Sequence, residues 1–319
     1  MSVNDITRRL GESLILREDP PMRVFVTGAS GWIGSATVDD LLDAGHDVTG
    51  LAGSDTSAAR LEAKGVTVLR GDLDDLDSIR KGADAAEGVI HLANKHDWAN
   101  PAASAAAERS AVETIGEALS GSDRAFVFAS GVAGLVQGRP ATEDDASPHI
   151  GPDSMRGGAE NRAFDFVDHG VKAVAARFAP TVHGTGDHGF ISYIVAAARK
   201  TGVSGYVGDG TNRWAAVHVR DAARLVRLGL ERAPAGARLH AVAEIGVDTK
   251  AIAEAIGTGL DLPVVSIDPD HAISHFGFIG RFFGMEGATS SDKTRALLGW
   301  EPTGPTLLED IKAGAYFEV

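Results

Sequence analysis

The sequence predicts an α/β chain built on a doubly wound parallel sheet, with a smaller, less regular C-terminal lobe. Three observations lead there. Between residues 22 and 178, short β-branched or aromatic runs alternate with helical stretches. A glycine-spaced turn, Gly28-x-x-Gly31-x-x-Gly34, joins the first such run to the first helix. After Pro180 the alternation gives way to glycines, histidines and aromatics.

Residues 23–26 (RVFV) read as the first strand, and a helix follows over 34–44 with Gly45 placed to stop it. The second strand is expected at 46–51, a helix at 58–64, the third strand at 66–69 and a helix at 76–81. Residues 88–92 read as the fourth strand, the alanine-rich segment 102–119 as a long helix, and 125–129 (AFVFA) and 173–178 as the fifth and sixth strands. Short apolar runs separated by helices belong to a parallel sheet covered on both faces. Further helices are expected at 221–231 and 249–256. Residues 1–21 read as an extension, 22–180 as the sheet domain and 181–319 as the smaller lobe, with segments free to cross between the two.

Composition narrows the function classes. A chain of 319 residues with 44% hydrophobic content can bury a full core. The absence of cysteine excludes disulfides, thiolate metal ligands and a cysteine nucleophile. A net charge of −14 with no basic cluster argues against nucleic acid as a partner. No apolar run reaches the length of a membrane span, and the first residues lack the layout of a signal peptide, so a cytoplasmic protein is expected. The 11 histidines include no pair at helical zinc spacing with a nearby carboxylate ligand, and no metal site is expected.

The glycine turn carries the chemistry. At a strand–helix junction of this Rossmann type, Gly28 permits the sharp turn, Gly31 lets backbone approach a pyrophosphate, and Gly34 lets the helix pack on the sheet. The diphosphate then meets the open N–H groups and positive end of the helix. Ser30, Trp32 and Ile33 share the turn. A nicotinamide dinucleotide is therefore the expected cofactor. The second strand ends in Gly50-Leu51-Ala52-Gly53-Ser54 with no acid at its tip. NADP is favoured on that ground, with Ser54 beside its ribose and Arg60 within reach of a 2′-phosphate; NAD is the alternative.

Several motifs together resemble the extended and atypical short-chain dehydrogenase/reductases, a superfamily that includes NAD-dependent epimerases and dehydratases. They are the Thr27-Gly-x-x-Gly-x-x-Gly34 turn, Gly71-Asp72-Leu73 after the third strand and His91-Leu92-Ala93-Asn94 after the fourth. Further matches are Arg177-Phe178-Ala179-Pro180-Thr181-Val182-His183-Gly184, the segment from Trp214 through His218-Val219-Arg220-Asp221 to Ala223, and Leu298-Gly299-Trp300-Glu301-Pro302. The resemblance implies that Asp72 and Leu73 lie against the adenine. It also implies that Leu92, Ala93 and Asn94 lie along the phosphates and ribose, and that Pro180 and Val182 approach the nicotinamide.

The proton-transferring pair of that superfamily, Tyr-x-x-x-Lys, is absent. The chain has three tyrosines, and Tyr193 and Tyr206 are followed four residues on by Ala197 and Gly210, while Tyr316 stands near the end. The resemblance implies that Met155 and Ala159 take the places of the pair. Ser130 follows the fifth strand where a catalytic hydroxyl is expected. His183 is the candidate proton donor, since an imidazole titrates near neutral pH. His96, Met155, Arg156, His188 and Trp214 are candidates for the substrate pocket. Each has a plain alternative: Arg156 would pair with Glu160 along one helix, Trp214 would fill the core, and the histidines would serve as structural hydrogen-bonding groups. Three functions stay open. The first is a reductase of a small carbonyl, imine or activated alkene; the second is a non-catalytic NADP(H) sensor; the third is a nucleotide-sugar epimerase or dehydratase. The helices at 102–119 and near Arg156 suit a homodimer contact, or an intramolecular one.

Overall fold

The computed structural model describes residues 20–97 and 99–317. The extension expected over 1–21 lies, through residue 19, outside the described residues. The strands in chain order are β1 (Arg23–Thr27), β2 (Asp47–Ala52), β3 (Thr67–Arg70), β4 (Gly88–His91), β5 (Ala125–Gly131), β6 (Lys172–Phe178), β7 (Thr181–His183), β8 (Ser204–Val207), β9 (Arg213–His218), β10 (Arg238–Ala241), β11 (Glu244–Asp248) and β12 (Val264–Ile267). The first six fall where the sequence placed six strands, within a few residues.

Seven of them form one sheet in the order β10-β6-β5-β4-β1-β2-β3, with every neighbouring pair parallel. This is the doubly wound order extended by one strand. Alternate side chains feed opposite faces. Val24, Val26, Ile90 and Val127 enter a core with α1 (Trp32–Asp43) and α2 (Asp55–Glu62), while Phe25, Val89, Phe126 and Phe128 enter a second core. That second core is closed by α3 (Leu76–Ala85), α4 (Pro101–Leu119) and α5 (Ala159–Asp165).

The remaining helices are α6 (Phe190–Thr201), α7 (Val219–Arg232), α8 (Thr249–Leu260), α9 (Ala272–Phe276), α10 (Gly280–Phe283), α11 (Asp292–Leu298) and α12 (Leu307–Lys312). The chain crosses between lobes as the sequence allowed. After β6 it builds β7 and β9 into a three-stranded sheet ordered β11-β9-β7, then returns. α7 lays Ala222, Leu225 and Val226 into the first core, and β10 pairs with the sheet edge at β6. Leu298 and Trp300 from the C-terminal region join the same core. Helix α6, with α8 through α10 and α12, surrounds a third core that contains Trp214, Phe283, Leu307 and Tyr316.

Two local expectations are corrected. The helix expected at 58–64 begins at Asp55, because Ser54 caps it by accepting the Ser57 N–H at 3.1 Å. The helix expected near Arg156 begins at Ala159. Arg156, Gly157 and Gly158 all have left-handed φ values of 53°, 61° and 62°, which no right-handed helix accommodates.

A candidate dinucleotide cleft and active site

The turn after β1 is closed tightly onto its neighbours. Gly28 has φ of 69°, and a Cβ there would lie 2.6 Å from the Ala93 nitrogen. A Cβ on Gly34 would lie 1.9 Å from the Gly28 carbonyl oxygen. Only glycine fits at either position. Gly31 takes the N-cap of α1 with no side chain capping the helix, so the first amides of that helix are open to a ligand anion. The residues present therefore fit a pyrophosphate. Thr27 and His91, at the ends of adjacent strands, share a buried contact (Oγ1 to Nδ1, 2.7 Å) under this turn.

The other expected cofactor residues gather around the same strand ends. The Trp32 indole donates to the Val182 carbonyl at 2.8 Å, tying the turn to the segment after Pro180. Its ring meets His188 edge-on at 6.0 Å. Ile33 and Leu92 pack on the first core, and Leu73 is buried in the second. Ala93 packs on that second core too. One Asp72 carboxylate oxygen accepts the N–H groups of Asp74 and Asp75, at 2.9 and 3.2 Å, and so shapes the turn after β3. Ser30, Gly31, Trp32, Arg60, Gly186 and His188 help line a groove of about 670 Å³ along α1. Arg60 is exposed on that groove. Arg70, which belongs to no sequence motif, donates to the Ser54 carbonyl at 3.0 Å and to Asp55 at 2.7 Å, placing a guanidinium at the tip of β2.

At the C-terminal ends of β4 and β5 a buried carboxylate organises two expected residues. Glu108, on α4, accepts from the Asn94 amide at 2.9 Å and from Arg156 Nε at 3.0 Å, and it also pairs with Arg156 Nη2. Nη2 further donates to the Ala129 carbonyl at 3.1 Å. The left-handed turn at Arg156 swings its side chain back toward α4, so the expected pairing with Glu160 is replaced by one with Glu108. Glu108 directly follows the alanine-rich run 102–107, and helix periodicity does not say what it faces. The pKa of His96 is lowered, by desolvation first and then by the Arg156 charge, against the opposing pull of Glu108. Met155 is 57% exposed.

Ser130 and Arg177 stand on the face of β5 and β6 that α5 covers. Ser130 donates to Glu160 at 2.5 Å. Arg177, fully buried, gives Nε to Glu160 at 3.1 Å, pairs with it through Nη2, and donates Nη1 to the Asp145 carbonyl at 2.8 Å. The Ser130 hydroxyl is thus committed to a buried ion pair.

His183 and Trp214 face elsewhere. In the parallel pair of β7 and β9, Val182 is opposite Val217 and His183 is opposite His218. Val182 and Val217 pack on the first core, so alternation turns His183 to the side of Trp214 and Ala216, in the third core. There its Nδ1 lies 2.6 Å from Asp310, and burial is the main cause lowering its pKa. Trp214 is 2% exposed and meets Phe283 and Phe190, which makes it core. Among the described residues no cluster of side chains suits a metal ion, and no helix is long and apolar enough to cross a membrane.

Comparison with known proteins agrees with this architecture. Residues 24–243 match the model of the NAD dependent epimerase/dehydratase family. Two uncharacterized yeast proteins are 44% identical: C2A9.02 of Schizosaccharomyces pombe over 93% of this chain and 100% of its own, and YLL056C of Saccharomyces cerevisiae over 92% and 98%. The crystal structure of a dTDP-glucose 4,6-dehydratase from Streptomyces venezuelae superposes with a TM-score of 0.73 at 19% identity, over 92% of this chain and 96% of that one. With the glycine cradle, the parallel strand order and the family match in agreement, the chain belongs to the NAD dependent epimerase/dehydratase family.

Proposed function

We propose that the protein is an NAD(P)H-dependent reductase of a small carbonyl, imine or activated alkene, with Arg156 in place of the usual phenol as the group that holds the substrate's electron-rich end. The carrying observation is the anchored guanidinium. Glu108 and the Ala129 carbonyl fix Arg156 through Nε and Nη2, Nη1 makes no hydrogen bond among the described residues, and the side chain is 33% exposed. A nicotinamide, when bound, supplies the hydride. The substrate's π pair moves to its oxygen or nitrogen, the open N–H of Arg156 stabilises the charge that develops there, and solvent supplies the proton. A fixed cation costs no reorganisation as that charge forms. The lowered pKa of His96 disfavours it as the proton donor.

The same reading takes NADPH as donor. Asp55, the first acid after β2 in the chain, is paired with Arg70, and Arg60, with no ion pair among the described residues, lines a groove that also holds Asp43, Asp39 paired with Lys64, and Asp40 paired with Arg227. A 2′-phosphate needs such cations.

The test is NADPH consumption with a panel of ketones, enones and cyclic imines, using the wild type, Arg156→Ala and Arg156→Lys. Arg156→Ala is expected to lower kcat about 100-fold with unchanged NADPH affinity. Full turnover by that variant would refute the assignment. Arg60→Ala is expected to weaken NADPH about tenfold and leave NADH unchanged.

A further inference from the structure

The loop that follows β7 is fastened from two sides. It carries three glycines in six residues, Gly184, Gly186 and Gly189. Glycine offers little resistance to backbone rotation, so such a loop takes its position from what is attached to it. On one side is the glycine turn. Trp32, the first residue of α1, donates its indole N–H to the Val182 carbonyl at 2.8 Å. Its ring lies 3.4 and 3.8 Å from where a Cβ would stand on Gly184 and Gly186, and it meets His188 edge-on. Loop and turn are walls of one groove, which Gly31, Trp32, Gly186 and His188 all line.

On the other side is the C-terminal segment, well past residue 243, where the family match ends. The Tyr316 phenol donates to one Asp187 carboxylate oxygen at 2.8 Å, and the other accepts the Gly189 N–H at 2.6 Å. Asp310 stands 2.6 Å from His183 Nδ1. All four of these side chains are buried. The two contacts pin the loop at His183 and Asp187, on either side of the glycines that lie against Trp32. The segment is itself anchored, because Arg199 on α6 donates to the Phe317 carbonyl at 3.0 Å and the Phe317 ring packs on Gly259 of α8.

We propose that Asp310 and Tyr316 are positioning residues for the dinucleotide: they hold the loop 184–189 against Trp32 and so fix the groove wall beside the first amides of α1. The inference rests on dinucleotide binding at the glycine turn and does not depend on the reaction proposed above.

The experiment uses the full chain, Tyr316→Phe, Trp32→Phe and the double variant, at a temperature where thermal melts show each one folded. NADPH and NADH affinities are measured by nicotinamide fluorescence. Tyr316→Phe is expected to weaken both dinucleotides about fivefold in the wild-type background and less than about twofold in the Trp32→Phe background. A hydrogen bond with a merely structural role would lower the melting temperature and leave the affinity of the folded protein unchanged. Asp310→Ala, which removes the contact at the other end of the loop, is the second variant and is expected to act in the same direction. With no dinucleotide present, acrylamide quenching of Trp32 emission, taken as the difference between each chain and its Trp32→Phe counterpart, is expected to rise in Tyr316→Phe. Unchanged NADPH affinity in both Tyr316→Phe and Asp310→Ala, equal weakening by Tyr316→Phe in both backgrounds, or unchanged quenching would each overturn the inference. A wild type that binds neither dinucleotide would refute the cofactor reading, and the quenching result then decides on its own whether Tyr316 holds the loop against Trp32.

Discussion

Glu160→Ala probes the buried charge pair that fixes the strand ends beneath the site. Glu160 accepts from Arg177 and Ser130, and Arg238 Nε stands 3.9 Å from it. Arg177 has no exposed surface, and removal of the carboxylate leaves its guanidinium with the Asp145 carbonyl, and with His240 at 3.3 Å. Truncating one member of a buried pair costs about 3–5 kcal/mol, because the survivor keeps its desolvation cost without its partner. At about 2–4 °C per kcal/mol that is a fall in Tm of about 6–20 °C. Replacing both members with apolar groups, in Glu160→Leu with Arg177→Met, removes both charges and is expected to recover most of the loss. Urea unfolding followed by circular dichroism, at constant m, measures all three. A loss below about 1 kcal/mol for Glu160→Ala would refute the reasoning, as would a double variant no more stable than Glu160→Ala.

Gly34→Ala drives a methyl into the Gly28 carbonyl, and loss of measurable NADPH binding with a lowered Tm is expected; dinucleotide affinity by fluorescence checks it. His91 is fully buried, and burial followed by the Arg156 charge lowers its pKa from 6.5 to about 4. The unfolded chain therefore binds a proton that the folded chain refuses. Stability should fall by about 3 kcal/mol as pH drops from 6.5 to 4, and His91→Asn should remove that part of the slope in denaturant midpoints measured across the range. Tyr316 donates to the buried Asp187 at 2.8 Å, so Tyr316→Phe should cost about 1–3 kcal/mol in urea unfolding, with an intact wild-type midpoint as the refuting result.

Much of the cofactor end was legible in the chain. Strand runs, the position of the glycines and the Trp32 turn are local features, and local chemistry decides them: a strand needs an apolar run, and a close backbone approach needs hydrogen in place of Cβ. The catalytic end was less legible. Met155 and Ala159 were aligned with the missing pair by counting along the chain, while the structure commits Arg156 to Glu108 and Glu160 to Arg177, across 48 and 17 residues of sequence. Glu108 and Arg70 carried no motif, and their partners come from other elements.

The sequence by itself determined the parallel sheet, its first six strands and a glycine cradle suited to a pyrophosphate, because each depends on residues adjacent in the chain. Tertiary structure decided the return of β10 to the sheet edge, the inward turn of His183 toward Asp310 and the capture of Arg156 by Glu108. Each of these depends on which face of an element its neighbours bury, and a buried charge takes the partner that packing brings to it.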